Sequence, residues 1–258
     1  MNIPLQALLF DVDGTLADTE RDGHRVAFNL AFREAGLDWD WDVPLYGELL
    51  SVTGGKERIR HYLAHFNTEF EAPADFDDFI ADLHRAKTTH YTALLAEGRI
   101  PLRSGVARLL GEAREAGLRL AIATTTTPAN VAALLNHTLG PESLEWFEVI
   151  AAGDIVPAKK PAPDIYEYTL QELDLPPAAC LAFEDSGNGI LASRGAGLKT
   201  VVTVNAYTRG HDFSEAALVL DQFGEPDLPC RVLGGEVAAL NGSPYLDIHG
   251  LRRLHGGR

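Results

Sequence analysis

Asp11 and Asp13 stand two residues apart in Leu8-Leu9-Phe10-Asp11-Val12-Asp13-Gly14-Thr15-Leu16, where a short apolar run stops. Residues i and i+2 of an extended chain share a face, so both carboxylates can converge on one metal ion or one phosphoryl group. Three more polar clusters follow apolar runs in the same way: Thr124 to Thr127, Lys159-Lys160-Pro161 and Glu184-Asp185-Ser186. Each alone has an ordinary reading. An Asp-Gly pair makes a solvated turn, a threonine run makes a polar loop, and Glu184 or Asp185 could cap a helix. Thr126 and Thr127 precede Pro128, where capping serves as well as ligand contact. A calcium loop is excluded, because glycine and glutamate are needed at its sixth and twelfth positions, and Leu16 and Asp22 stand there. Carboxylates, hydroxyls, a lysine and two further acids together form a stronger signal than any one of them alone.

The elements that must hold these groups follow from hydrophobic patterning. Ala7 to Phe10, Leu118 to Ala123, Phe147 to Ala152, Cys180 to Phe183 and Thr200 to Val204 read as buried strands. Helical periods separate the last four: one carries Val131, Leu134 and Leu135, one runs from about Pro163 to Leu173, and one reaches Ala196. Strands alternating with helices of this length predict an α/β fold, a doubly wound parallel sheet with helices on both faces. In such a sheet ligands bind beyond the carboxyl ends of the strands, which is where all four clusters fall. Between Asp18 and Arg99 the alternation is lost. Val26, Leu30 and Phe32, then Ile59, Leu63 and Phe66, then Phe76, Phe79, Ile80 and Leu83 mark three amphipathic helices. The expected organisation is a core of residues 1–17 and 100–258 with an inserted all-helical domain over 18–99, hinged near Gly98-Arg99-Ile100-Pro101-Leu102. Beyond about Tyr207 the pattern weakens: Ala217 to Leu220 suggests a sixth strand, and Gly234 to Arg258 carries no assignable period.

The bulk properties narrow the partners. A chain of 258 residues, 46% hydrophobic and 23% charged, is ordinary for a globular protein. Its net charge of −15 argues against nucleic acid and anionic membranes. No apolar run approaches the roughly 20 residues of a membrane helix, and Met1 to Gln6 lacks the features of a signal peptide. A cytoplasmic monomer is expected, with Cys180 and Cys230 as free thiols. No histidine cluster has zinc-ligand spacing.

The set Asp11-Val12-Asp13-Gly14-Thr15, Thr124, Lys160-Pro161 and Glu184-Asp185 resembles the four motifs of the haloacid-dehalogenase superfamily of phosphotransferases. The resemblance covers the chain to about residue 205. It implies a Rossmann-like core, with the helical insertion where that superfamily carries its C1 cap. Phosphoryl transfer needs an in-line nucleophile and neutralisation of charge on the transferring oxygens. Asp11 would attack phosphorus to give an aspartyl-phosphate, and Asp13 would protonate the leaving alkoxide and then deprotonate water. Mg2+, which prefers oxygen ligands, would be held by Asp11, Glu184, Asp185 and the backbone carbonyl of Asp13. Lys160 would hold Asp11 and a phosphate oxygen, and Thr124 would donate to a second oxygen.

Selection of the leaving group falls to the insertion. Ser51-Val52-Thr53-Gly54-Gly55-Lys56-Glu57-Arg58 opens a basic helix as a candidate anion cradle, with Lys56 for a second phosphate and Arg58 and Arg60 as solvated helix charges. Glu20 and His24 are spaced i, i+4; Glu20 could bind sugar hydroxyls and His24 is expected to be structural. Trp39 and Trp41 are expected to anchor the insertion. Ala17 to Glu20, Leu37 to Asp42, Thr53 to Arg58 and Ala123 to Asn130 are similar to CbbY-type proteins. That family is associated with carbon fixation and removes the 1-phosphate of xylulose 1,5-bisphosphate, an inhibitor of Rubisco. The resemblance implies a phosphosugar substrate met by Glu20, Tyr46, Gly54, Gly55, Lys56, Thr125, Thr126, Thr127 and Asn130, with Arg103 a weaker candidate. The alternative is a β-phosphoglucomutase, against which stands Thr127 where that family carries a lysine. A non-catalytic phosphosugar-binding protein would have no need of Asp13.

Overall fold

The computed structural model describes residues 3–52 and 54–256. Seven strands form one sheet: β1 (Ala7–Phe10), β2 (Arg119–Thr124), β3 (Phe147–Ala152), β4 (Cys180–Glu184), β5 (Lys199–Thr203), β6 (Leu218–Leu220) and β7 (Val232–Gly235). Their order is β3-β2-β1-β4-β5-β6-β7. The strands from β1 to β6 are parallel, and β7 runs antiparallel to β6 at the edge. The doubly wound α/β core is therefore as expected, with two refinements. The sixth strand begins at Leu218, and β7 is an addition. Its Val232-Leu233-Gly234-Gly235 alternates between half-buried and exposed, so it lacks the continuous apolar signature that buried parallel strands carry.

Strand order reverses at β1, which has β2 on one side and β4 on the other. That is the topological switch point, where the strand ends leave a crevice. Ala7, Leu9, Ala121, Ala123, Ala151 and Ala182 line one face of the sheet. The small side chains of the five alanines let helix α7 (Asp164–Leu173) and helix α8 (Gly187–Gly195) pack closely there, through Ile165, Tyr166, Leu170 and Ala192. Phe10 stacks on Phe183 within the sheet, and Phe223 meets Phe183 edge-on. Helix α5 (Val106–Glu115) precedes β2, helix α6 (Pro128–Leu139) follows it, and helix α9 (Ile248–Gly256) lies against α5.

The chain divides into two compact units, residues 19–100 and the remainder. The unit over 19–100 contains α1 (Arg25–Glu34), α2 (Val43–Leu49), α3 (Gly55–His65) and α4 (Phe76–Ala96), entered through a wide π-helical turn at Thr19–His24. Its core is aromatic: Phe28, Phe32, Trp39, Trp41 and Tyr62 meet at centroid separations of 4.7–5.5 Å in several tilted and edge-on pairs. Asn29 ties the Trp41 backbone into this cluster, accepting from its N–H at 2.9 Å and donating to its carbonyl at 3.0 Å. The buried face of α1 is Ala27, Phe28, Ala31 and Phe32; Val26 and Leu30, expected there, are only half-buried. Phe66 caps α3 at the surface, 43% exposed, instead of joining the core. The short α2 went unmarked by apolar periodicity, although Asp42 caps it by accepting from Leu45 N at 2.8 Å.

Candidate active site

Asp11 lies one residue beyond β1, yet its N–H still donates to Phe183 O at 3.0 Å. The ladder is thus extended by one bond, which fixes the Asp11 backbone between β2 and β4. The chain then turns sharply: Gly14 N donates to Ala17 O at 2.8 Å, and Leu16 N to Val12 O at 2.9 Å. Gly14 adopts φ +86°, and a Cβ there would meet Asp185 Oδ2 at 2.1 Å. Only glycine fits both demands. The carbonyl of Gly14 accepts from Arg103, whose guanidinium also donates to Thr203 O, Val204 O and Asp221 O at 3.0, 2.7 and 2.8 Å. Arg103 therefore staples the turn to the ends of β5 and β6. These structural bonds occupy the residue named as a weaker substrate candidate.

Around Asp11 the four sequence clusters do come together, three by direct contact. Lys160 Nζ lies 2.7 Å from Asp11 Oδ1, 2.7 Å from Glu184 Oε1 and 2.9 Å from Ala123 O. Burial works against its ammonium, but the Asp11 and Glu184 carboxylates outweigh this and raise its pKa above the ordinary lysine value. Thr15 Oγ1 donates to Asp11 Oδ2 at 3.4 Å. Thr124, buried at the end of β2, accepts from Thr126 N at 3.3 Å. Lys159 pairs with exposed Asp154, as expected of a loop lysine.

Asp11, Glu184 and Asp185 each offer an oxygen within 4.8 Å of the others, and all three are buried. Burial first, then the Asp11 and Glu184 charges, raise the Asp185 pKa well above the carboxylate range. Burial pushes Glu184 up to about 7, against the pull of Lys160. Three buried carboxylates against one ammonium form a hard-oxygen site short of positive charge, which fits a divalent cation such as Mg2+. Neither Glu184 nor Asp185 is the cap of α8. Ser186 is, accepting from Gly189 N at 3.1 Å, and Gly189 carries no side chain because Glu184 lies against it.

Thr125 is exposed, whereas Thr126 is buried and accepts from Asn130 Nδ2 at 3.2 Å. Thr127 caps α6, accepting from Asn130 N at 3.3 Å, so the capping reading accounts for it.

Within the unit over 19–100, Glu20 Oε2 accepts from Tyr46 at 2.6 Å, and Tyr46 in turn accepts from Arg58 Nη1 at 2.8 Å. Tyr46 is fully buried, and its hydroxyl orients the Glu20 carboxylate. Arg58 also donates to Leu49 O at 3.2 Å and Val52 O at 3.4 Å. Its expected place as a solvated charge is corrected: Arg58 is buried, and the Tyr46 hydroxyl with the Leu49 and Val52 carbonyls holds its guanidinium. Arg60 is solvated as expected, paired with exposed Asp77. Lys56 is exposed. Gly55 packs against His84, and the Glu57 carboxylate folds back over Gly54 at the amino end of α3. Thr53 lies outside the described residues. His24 is structural, its Nδ1 accepting from Lys87 Nζ at 2.9 Å while its ring stacks on Tyr91. Burial, then the Lys87, Arg58 and His84 charges, lower its pKa, so the ring is held neutral.

Two groups at the site escaped the sequence reading. Tyr166 donates to Glu184 Oε1 at 2.6 Å and lies 5.1 Å beneath the Lys160 ammonium; in a helix of apolar period it passes for core. Asn205 donates to Asp185 Oδ2 at 2.6 Å. It is the first polar residue after β5, and the strand-end rule that found the other clusters would have found it.

A fold with phosphoryl-transfer groups converging at the switch point defines a hydrolase class, and comparison with known proteins agrees. The family model of haloacid dehalogenase-like hydrolases matches residues 5–197. The CbbY protein of Cupriavidus necator is 48% identical over 255 residues, 98% of both chains. A crystal structure of a mutant CbbY from Rhodobacter sphaeroides in complex with xylulose-(1,5)bisphosphate is 52% identical, with a TM-score of 0.74 over 86% of this chain and 96% of that one. Fructose-1-phosphate phosphatase YqaB of Escherichia coli is 32% identical over 197 residues, 75% of this chain and 94% of its own. The chain belongs to the haloacid dehalogenase-like hydrolases and, within them, to the CbbY-type phosphatases.

Proposed function

We propose that the chain is a magnesium-dependent phosphosugar phosphatase that converts xylulose 1,5-bisphosphate to xylulose 5-phosphate. The observation that carries the chemistry is the placing of Lys160 against one oxygen of Asp11, with Thr15 on the other. An aspartate so held is oriented to attack phosphorus, forming the aspartyl-phosphate as the P–O bond to the sugar breaks. Asp13 gives its proton to the departing sugar oxygen, then takes one from the water that attacks the aspartyl-phosphate. Lys160 and Thr124 offset charge on the phosphoryl oxygens. Asp11, Glu184, Asp185 and the Asp13 carbonyl would hold Mg2+, which when bound supplies the positive charge that the buried carboxylates lack.

The bisphosphate reading rests on likeness to a protein crystallised with that ligand. In the unit over 19–100, Glu20, oriented by Tyr46, would bind sugar hydroxyls and Lys56, Gly54 and Gly55 are candidates for the distal phosphate; in the remainder of the chain, Thr125, Thr126 and Asn130 are candidates for phosphate contact. A cytoplasmic monomer serving carbon fixation fits this reading. Among the described residues no helix is long and apolar enough to cross a membrane, and the net charge of −15 disfavours nucleic acid. Asp11→Asn keeps the shape and removes the nucleophile, so phosphate release should fall by at least about a thousandfold with the fold intact by circular dichroism. Retained turnover would remove Asp11 from that role.

A further inference from the structure

Asp185 carries one of the site's carboxylates on a residue that nothing in its own element orients. It follows β4, and the α8 cap that succeeds it is supplied by Ser186. What holds its side chain comes from the next strand. Asn205 Nδ2 donates to Asp185 Oδ2 at 2.6 Å. The Asn205 amide is itself fixed in direction: its Oδ1 accepts from Tyr207 N at 2.9 Å, a side-chain turn closed two residues on. Its backbone N–H donates to Thr208 Oγ1 at 3.1 Å. With Oδ1 committed to Tyr207, only Nδ2 can face Asp185. The floor of the pair is Gly14, where a Cβ would meet Asp185 Oδ2 at 2.1 Å and Asn205 Nδ2 at 2.7 Å. The pair thus occupies the space left by the glycine of the Asp11–Asp13 turn.

We infer that Asn205 is a positioning residue for the divalent cation: by tying Asp185 Oδ2 it fixes the carboxylate that, with those of Asp11 and Glu184, would hold the ion. The inference rests on the metal reading of the Asp11, Glu184 and Asp185 cluster made above. Ligating carboxylates are themselves hydrogen-bonded, and removing such an outer partner costs about 10–100-fold in metal affinity or activity. A neutral amide suits this place. It donates without adding charge, whereas a lysine would compete with the cation and an aspartate would add repulsion.

The test is direct Mn2+ binding, read by electron paramagnetic resonance of the free ion, on wild type, Asn205→Ser and Asn205→Leu. Serine keeps a hydroxyl that can accept from Tyr207 N–H but cannot reach Asp185, so the turn survives while the tie is lost. Leucine removes both. The expected result is Mn2+ dissociation constants raised at least about tenfold in each folded variant, with kcat at saturating Mg2+ within about threefold of wild type. Mn2+ affinity within about twofold of wild type in Asn205→Ser would overturn the inference, as would a kcat loss that saturating metal fails to restore. Absence of Mn2+ binding in wild type would overturn the metal reading itself, a separable outcome.

Discussion

At Asp11 one carboxylate oxygen meets the Lys160 ammonium and the other the Thr15 hydroxyl, while Asp13, two residues on, sits in the turn closed by Gly14 and Ala17. The difference suits a division of labour between nucleophile and proton carrier. Asp13→Asn should leave attack on a good leaving group possible while starving the later water step of its base. With p-nitrophenyl phosphate, the variant should release a burst of nitrophenolate equal to the enzyme present and then turn over slowly, about 10²–10⁴-fold below wild type. Unchanged steady-state turnover would show that Asp13 carries no proton. Tyr166 and Asn205 show where residue types mislead a reader of sequence. Tyrosine in an apolar helix stripe reads as packing until its hydroxyl is found 2.6 Å from Glu184. An asparagine after a strand reads as a turn, which it also is.

The elements differ in how openly the sequence displays them. Buried parallel strands are continuous apolar runs, so β1 to β5 and the strand-end clusters were legible at once, and with them Asp11, Thr124, Lys160, Glu184 and Asp185. Edge strand β7 and the short helix α2 were not, because neither carries a full period of buried residues. Arg58 misleads for a related reason: its charge suggests solvent, and only the fold reveals that Tyr46, Leu49 and Val52 offer it acceptors. The π-helical turn at Thr19–His24 holds another hidden pairing, His24 with Lys87 of α4. His84 of α4, Arg58 of α3 and Lys87 all disfavour a proton on His24, after burial. A histidine whose folded pKa is depressed binds fewer protons folded than unfolded. Its stabilising neutrality is therefore present above the unfolded value near 6.5 and lost as pH falls below it. Thermal scans should show a Tm drop between about pH 7.5 and 5.5 that is smaller in His24→Asn, which keeps an acceptor but cannot titrate. An equal drop in both proteins would show that His24 does not govern that window.

For the whole molecule, two compact units divide the chain, and each is internally consistent. The unit of β1 to β7 brings its chemistry to one sheet edge, and the unit over 19–100 builds an aromatic core with a Glu20–Tyr46–Arg58 chain beside it. The first carries carboxylates, a lysine and hydroxyls suited to phosphoryl transfer, in agreement with membership of the CbbY-type phosphatases. Substrate choice is the least legible feature, because the groups proposed for it, such as exposed Lys56, match no local pattern that distinguishes a ligand contact from ordinary solvation. Phosphate release from xylulose 1,5-bisphosphate, with and without Mg2+ and beside a panel of sugar monophosphates, tests that choice most directly. The account predicts metal-dependent release of one phosphate per bisphosphate, leaving the 5-phosphate, with kcat/KM at least about tenfold above every monophosphate. Equal or better turnover of monophosphates, or conversion to an isomeric phosphosugar with no phosphate released, would contradict it.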